Sequence, residues 1–290
     1  MSLENVLIHA GYLSLYILVF FLSKWIKGWF SSYNLDEQLT HFDNNAVSVS
    51  VTGYFIGVTA IFVGAYTGPS SGQLAMDFLG VFGYSILGVL LLNLTRIIAE
   101  RFILHKFSVQ KEIIHDQNPG AGVVEGAAYL STALIIAGSV HGQYLAEMVI
   151  INKAFSGFLS TLVFYVIGVL CLIVFARIYS LLSPFDLHAE IEKDNIAAGL
   201  GFAGAIISIG IIIMRAIYGD LTDWASDLMT LGLDVLIIFL YLVVVRFVFD
   251  KFILRNSDLN TEIARDQNIG AGLLEMMVAI CFSVVLFIVL

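Results

Sequence analysis

The sequence predicts an all-α polytopic membrane protein, in which eight transmembrane helices form two parallel four-helix repeats. Three observations lead to this fold class. Hydrophobic residues make up 59% of the 290 residues and charged residues only 13%, too little charge to cover the surface of a soluble protein of this size. Separate apolar stretches are long enough to span a bilayer. A ten-residue motif also occurs twice in the chain, with an offset of 150 residues between Asn118 and Asn268.

Eight apolar stretches occur in the sequence, and each is predicted to be a helix. Each is continuously apolar and lacks the alternation expected of membrane-barrel strands. A helix needs about 20 residues to cross a hydrocarbon core of about 30 Å. The predicted segments are 8–30, 46–66, 77–99, 119–140, 154–180, 196–218, 228–249 and 269–290.

The distribution of lysine and arginine predicts the orientation. Of the 14 lysines and arginines, 12 lie in or beside the connections that follow the first, third, fifth and seventh segments. Cytoplasmic loops carry such an excess of positive charge. We therefore expect these connections to be cytoplasmic and both termini to face outward, into the periplasm or the extracellular space.

The repeated motif indicates a tandem duplication. Asp116–Glu125 recurs as Asp266–Glu275, with seven of ten positions identical. Each half has an even number of crossings, so the halves share one orientation and an axis along the membrane normal should relate them. The predicted repeats are 1–143 and 144–290.

A weaker repeat of 73 residues lies inside each half. It relates four asparagines, each of which precedes a cluster of small residues at the start of an even-numbered segment. They are Asn45, Asn118, Asn195 and Asn268. The ancestral unit is therefore interpreted as a helical hairpin.

These motifs resemble the YjfL-type bacterial inner-membrane family, catalogued as domain of unknown function 350, in two tandem copies. The sequence Lys-Asp-Asn-Ile-Ala-Ala-Gly at 193–199 carries the resemblance best, followed by Asp116–Gly122 and Asp266–Gly272. The first-quarter copy, Asp43–Ser48, lacks the glycine. The resemblance implies a multi-pass protein of the bacterial inner (plasma) membrane with its C-terminus outside, and it implies no established chemistry.

The four asparagines are expected to be helix N-caps. Asn118 precedes Pro119, and proline suits the first helical position because its missing N–H would have no partner there. Unsatisfied amides are costly at the membrane boundary. The alternative is a cytoplasmic vestibule of four helix N-termini that binds an ion or an anionic head group.

Small residues predict close helix packing. Gly120, Ala121 and Gly122 recur as Gly270, Ala271 and Gly272, a composition that lets helix backbones approach one another. Contact between the fourth and eighth segments near the repeat axis is one natural arrangement.

Glu125 and Glu275 are the sharpest candidates for chemistry. Each follows its asparagine by seven residues, which places it on the same helix face and about 10 Å deeper in the membrane. An ionised carboxylate there costs several kcal/mol unless it is paired, hydrated or neutral. Each could be protonated or paired with Arg96 or Arg246, could line a cation or proton path, or could hold the halves together by hydrogen bonds.

Two functions follow from these candidates. The first hypothesis is a small-ion (cation or proton) channel or transporter, with Glu125 and Glu275 in the path and the asparagines shaping its inner mouth. The alternative is a non-transporting scaffold or sensor in envelope maintenance that recruits cytoplasmic partners. Residues 100–115 alternate charged and apolar side chains, so a cytoplasmic protein could bind there.

Other functional classes have no support in the sequence. No HExxH motif occurs, and we expect no enzyme activity. We expect no cofactor or metal. The net charge of −9 forms no long like-charged block, and no nucleic-acid partner is expected. The predicted partner is the lipid bilayer.

Arg215 and Asp234 are predicted to form a structural ion pair at the outer ends of the sixth and seventh segments. The first half has Ala65 and Tyr84 at the matching positions, so both charges are present in one half and absent from the other. Because an unpaired buried charge is costly, the two charges would be gained or lost together.

A double-mutant cycle tests this pair. Asp234→Asn alone should lower the thermal unfolding temperature in detergent, since it leaves Arg215 without its counter-charge. The combined Arg215→Ala and Asp234→Ala variant should lose less stability than the two single losses added together. Strictly additive losses would exclude the pair.

Overall fold

The computed structural model describes residues 2–104, 108–141, 153–218, 223–248 and 258–289. It describes the backbone alone at residues 153–156, 224, 238–239, 241–243 and 245–248. The predicted boundary between residues 143 and 144 lies outside the described residues.

The predicted all-α fold class is confirmed. Seven helices of the described chain are long and apolar enough to cross a membrane, and the remaining predicted segment, 228–249, coincides with a further long helix. The helices are α1 (Leu3–Phe30), α2 (Leu35–Thr40), α3 (Asn45–Tyr66), α4 (Leu74–Phe102), α5 (Pro119–His141), α6 (Lys153–Leu182), α7 (Leu187–Glu192), α8 (Ile196–Ile217), α9 (Trp224–Val248) and α10 (Ile269–Val289). Two π-helical turns, Lys111–His115 and Thr261–Arg265, precede α5 and α10.

The four helices that follow the asparagine motif form a central row, in the order α3, α5, α8 and α10. The most extensive helix contacts of the described chain join α3 to α5, α5 to α8 and α8 to α10. Because α8 lies between α5 and α10, the expected contact between the fourth and eighth transmembrane helices is wrong. The internal repeats are neighbours in a row.

The other four long helices lie alongside this central row. Helix α1 packs on α3 and α4, α4 packs on α3 and α5, α6 packs on α5 and α8, and α9 packs on α8 and α10. Burial follows from this placement. Of the most apolar 18 consecutive residues in each helix, 83% are buried inside the protein in α5 and 89% in α8, but only 17% in α10.

Glycine permits close approach of the central helices at three equivalent contacts. A side chain on Gly122 would collide with the backbone of Ala46, and one on Gly272 would collide with Ala197. A side chain on Gly199 would meet the backbone of Gly120 in the same way. The predicted close packing through small residues is therefore confirmed, and the central helices touch backbone to backbone.

Gly199→Ala should destabilise the protein, because its methyl group has no room between α5 and α8. Overpacking of this kind costs about 1–3 kcal/mol, so the thermal unfolding temperature in detergent should fall. Gly83→Ala on α4 is the matched control, since nothing lies within 4 Å of a side chain added there. The control should be neutral or slightly stabilising, because alanine favours helix over glycine by up to about 1 kcal/mol. Equal shifts for both variants would contradict the close contact.

Candidate functional site

Each helix of the central row begins at a cap turn, which consists of a short helical segment, a residue of left-handed backbone conformation and an asparagine. The short segments are α2, Lys111–His115, α7 and Thr261–Arg265. The left-handed residues are Asp43, Gln117, Asp194 and Gln267, with φ between 46° and 63°. The same unusual backbone therefore occurs four times, which confirms the hairpin-sized repeat in structural terms.

Asn118, Asn195 and Asn268 are helix N-caps, as predicted. The Oδ1 atom of each accepts a hydrogen bond from the backbone N–H three residues later, at 3.1, 3.1 and 3.2 Å. This bond satisfies an amide that the helix itself cannot satisfy.

In the first quarter the cap is Asn44, and the assignment to Asn45 is wrong. Asn44 Oδ1 accepts from Val47 N at 3.1 Å, whereas Asn45 is the first helical residue and is exposed. The caps Asn44 and Asn118 are 74 residues apart, whereas Asn195 and Asn268 are 73 residues apart. A constant offset of 73 residues therefore selects the residue after the cap in the first quarter.

The Nδ2 atom of each cap asparagine donates to a side chain of its own cap turn. The acceptors are Gln38, Glu112, Glu190 and Glu262, at 2.8, 3.1, 3.1 and 2.9 Å. These acceptors were not predicted. The signal was a glutamate or glutamine five or six residues before each cap asparagine.

The first three cap asparagines also connect neighbouring cap turns. Asn44 Nδ2 donates to the carbonyl of Ile113 at 2.9 Å, Asn118 Nδ2 to Ile191 at 2.7 Å, and Asn195 Nδ2 to Ile263 at 2.8 Å. All three asparagines are at most 1% exposed. Their polar atoms bind the chain itself, so the geometry favours capping over an ion-binding vestibule.

Glu125 lies on α5, is 6% exposed, and contacts two neighbouring helices. The Ser50 hydroxyl of α3 donates to its Oε2 atom. Arg96 of α4 places Nε 3.5 Å from its Oε1 atom and donates through Nη1 to the carbonyl of Phe30 at 2.9 Å. The pairing of Glu125 with Arg96, one of the alternatives from the sequence, is therefore present.

A second cation, Lys27, is buried beside this pair. It is 3% exposed, and its Nζ atom donates to the Tyr129 hydroxyl at 3.1 Å. The same Nζ atom lies 4.6 and 4.5 Å from the ring centroids of Tyr54 and Tyr129, within range of cation–π attraction. The Tyr54 hydroxyl in turn accepts from Asn93 Nδ2 at 3.0 Å. We call Lys27, Ser50, Tyr54, Asn93, Arg96, Glu125 and Tyr129 the polar cluster.

Tyr33 lies next to the polar cluster in the connection between α1 and α2. Burial, followed by the nearby negative charge of Glu125, raises the pKa of Tyr33 to about 12. Its hydroxyl is therefore neutral at physiological pH.

The second half does not reproduce the polar cluster among the described residues. Glu275 is half-buried against Gly201 of α8, which takes the place of Ser50, and accepts from the Tyr179 hydroxyl at 3.4 Å. Ala279 stands where the first half has Tyr129. The side chain of Arg246 lies outside the described residues, so its pairing with Glu275 stays a prediction.

The structure does not bring the two glutamates together. Glu125 contacts α3 and Glu275 contacts α8, so each faces the preceding helix of the central row. The two carboxylates do not meet, because α8 separates the helices that carry them.

Two further predicted sites lie elsewhere. Arg215 and Asp234 are half-buried and interact electrostatically, without a salt bridge among the described contacts, so their pairing stays a prediction.

In the stretch 100–115, residues 105–107 lie outside the described residues. Its apolar side chains are largely buried in the protein's own core, and Phe102 is 43% exposed. The buried ones are Ile103, Leu104, Val109 and Ile113.

Replacing the cap asparagines one at a time should separate buried caps from the terminal one. Asn118→Ala removes a cap and leaves the Glu112 carboxylate, 2% exposed, without that donor, so a loss of about 2–4 kcal/mol is expected. Asn268→Ala removes an exposed cap and should cost about 1 kcal/mol. Thermal unfolding in detergent measures both, and a larger loss for Asn268→Ala would contradict the proposed connection between cap turns.

Comparison with known proteins agrees with this architecture. The family model described as Domain of Unknown Function (DUF350) matches residues 1–140 and 153–290. A UPF0719 transmembrane protein of Aquifex aeolicus (strain VF5) is 22% identical over 250 residues, which cover 84% of this chain and 85% of that protein. No solved structure matches the chain. The chain is thus a multi-pass integral membrane protein that belongs to the DUF350 family, in two tandem copies.

Proposed function

We propose that the chain is a non-catalytic, non-transporting scaffold of the bacterial inner membrane. One observation carries the proposal: the helices of the central row touch backbone to backbone at Gly122, Gly199 and Gly272. Backbone contact of this kind leaves no room for a water-filled passage between neighbouring central helices at that level. A tightly packed row suits a structural role in the membrane.

The charges of the polar cluster also argue against a cation path. Glu125 has Arg96 at 3.5 Å, and Lys27 is buried in the same cluster. Two fixed cations beside one carboxylate would repel a mobile cation in a region of low dielectric constant. Glu275 offers no continuation, because it faces a different helix.

The orientation of the scaffold follows from the positive-inside rule. It places the cap turns at the cytoplasmic face and both termini outside. That face carries exposed charges of both signs, in pairs such as Lys24 with Asp36 at 2.7 Å and Lys111 with Asp116 at 3.1 Å. Exposed pairs of this kind contribute little to stability, so they are free to serve recognition of a cytoplasmic protein.

Transport, of protons in particular, remains the second candidate, because the polar cluster contains buried ionisable side chains. Ionisable residues within membrane helices commonly mark ion or proton pathways. Lys27, Glu125 and Tyr129 are such residues. Lys27 donates a hydrogen bond to Tyr129, and Glu125 lies about one turn before Tyr129 on α5.

A flux measurement decides between the two candidates. The purified protein in liposomes should pass protons, potassium and sodium no faster than protein-free liposomes do. The Glu125→Gln and Glu275→Gln double variant should behave identically. Flux in the parent protein that this variant loses, while Asp234→Asn retains it, would establish transport and overturn the scaffold.

Site-specific photo-cross-linking tests the scaffold directly. A photoreactive residue at His41 or Asp194 on the cap face should form discrete adducts with cytoplasmic proteins in cells. The same residue at Ser70 or Gln73, exposed at the other end of the helices, is the matched control and should not. Identical patterns at both ends would contradict a cytoplasmic recognition face.

A further inference from the structure

The central row repeats one helix contact three times within a single chain. At each contact a cap asparagine donates to the carbonyl of an isoleucine in the next cap turn, and a glycine of the next helix meets the backbone of the previous one. The glycine lies four residues after the cap asparagine of its own helix. The residue whose backbone it meets lies two residues after the cap asparagine of the previous helix. Examples are Gly122 on Ala46 and Gly199 on Gly120.

In α3, α5 and α8, the face turned toward the next helix of the central row is formed mainly by small residues. We call it the forward face; it holds the second, sixth, ninth and thirteenth residues after the cap. Ser50 on this face of α3 contacts Glu125, Ser131 of α5 donates to the carbonyl of Ile206 at 2.9 Å, and Gly201 of α8 meets Glu275. The forward faces of α5 and α8 are buried throughout: Gly120, Val124, Ala127, Ser131, Ala197, Gly201, Gly204 and Ser208.

The forward face of α10 is exposed at the same four positions. Leu274 is 49% exposed and Met277 is 45% exposed, and Gly270 and Cys281 are exposed as well. The central row therefore ends at a face whose equivalents are buried in α5 and α8.

The other end of the central row carries the complementary face. Ser48 and Thr52 of α3 occupy the positions at which Gly122 and Gly126 of α5 meet the preceding helix, and both are exposed. We call this the backward face of α3. It carries small side chains, as the backward faces of the inner helices do.

The cap turns are open at the same two ends. Asn268 Nδ2 donates to Glu262, but among the described residues no carbonyl of another cap turn accepts from it. The equivalent of Ile113, Ile191 and Ile263 in the first cap turn is Leu39, which is 36% exposed. No donor from the described part of the chain reaches the Leu39 carbonyl. A donor thus remains at one end and an acceptor at the other.

We propose that the forward face of α10 docks on the backward face of α3 in a second copy of this chain, with Asn268 donating to the carbonyl of Leu39. A lipid acyl chain could cover the apolar side chains but could satisfy neither polar group, which would then bind water or a head group at the membrane boundary. The three contacts inside the chain provide the template. The inference holds whether or not the protein transports an ion.

This contact joins two different surfaces, so the assembly is head-to-tail and extends into a closed ring or an open filament. Ser48 replaces the glycine of the inner contacts, and Leu274 stands where α8 has Gly201. The helices of the two copies should therefore diverge with distance from the cap turns, where the hydrogen bond holds them at the spacing of the inner contacts.

Cysteine cross-linking in native membranes tests the pairing of the two faces. In a background carrying Cys171→Ala and Cys281→Ala, the combined Gly270→Cys and Ser48→Cys variant should form a ladder of disulfide-linked dimers and larger species on mild oxidation. Each single variant should remain monomeric, because the contact is head-to-tail. Dimers from Gly270→Cys alone, a monomeric double variant, or adducts with a different protein would each overturn the proposal.

A pair of adjacent tryptophan substitutions tests the surface without oxidation. Leu274→Trp on the forward face should weaken self-association about tenfold or more by overpacking the contact. Leu273→Trp is the matched control: it is 46% exposed, and its equivalent in α5, Val123, stays partly exposed within the central row. Single-molecule photobleaching in liposomes at several protein-to-lipid ratios measures the effect, and thermal unfolding confirms that both variants fold. A monomeric parent protein, or equal effects of both substitutions, would show that lipid covers this face.

Discussion

The architecture depends on satisfying backbone amides where the central helices enter the membrane. The first amides of a helix have no partner within it, and lipid offers none. Here one asparagine side chain accepts from its own helix and donates to its own cap turn, and in three cases it also donates to the next cap turn. The same residue thus caps a helix and sets its distance from its neighbour. Glycine then permits that distance farther along, as at Gly199.

Much of this could be predicted from sequence. Continuous apolar stretches predicted every long helix, because membrane-spanning length is a property of a single segment. The small residues around Gly120 and Gly270 predicted close packing. The order of the helices in the central row could not be predicted, since an internal repeat indicates equivalent environments without saying which helices are neighbours. The assignment of Asn45 failed because the repeat spacing is not constant. Asn44 and Asn45 are adjacent, and only the hydrogen bond from the Val47 amide identifies Asn44 as the cap.

The polar cluster was predicted in part. Glu125 and Arg96 stood out because charges are scarce in apolar helices. Lys27 was interpreted only as a marker of orientation, because it lies near the end of α1, where lysine usually extends toward water. Its burial depends on Tyr54 and Tyr129, which come from two other helices, and sequence spacing alone carries no signal for that contact. The two halves have diverged at these positions, so the duplication preserves the backbone more faithfully than the charges.

The position of the polar cluster within the chain bears on how the protein is made. Every member, from Lys27 to Tyr129, belongs to the first half. The nascent chain can therefore neutralise Glu125 with Arg96 before α8 has entered the membrane. Helix α5 would still lack α8 at that stage, but its costliest side chain would already have its partner. Membrane insertion of the first half thus needs no charge from the second. When the second half follows, it meets a preformed surface of mainly small side chains on α5.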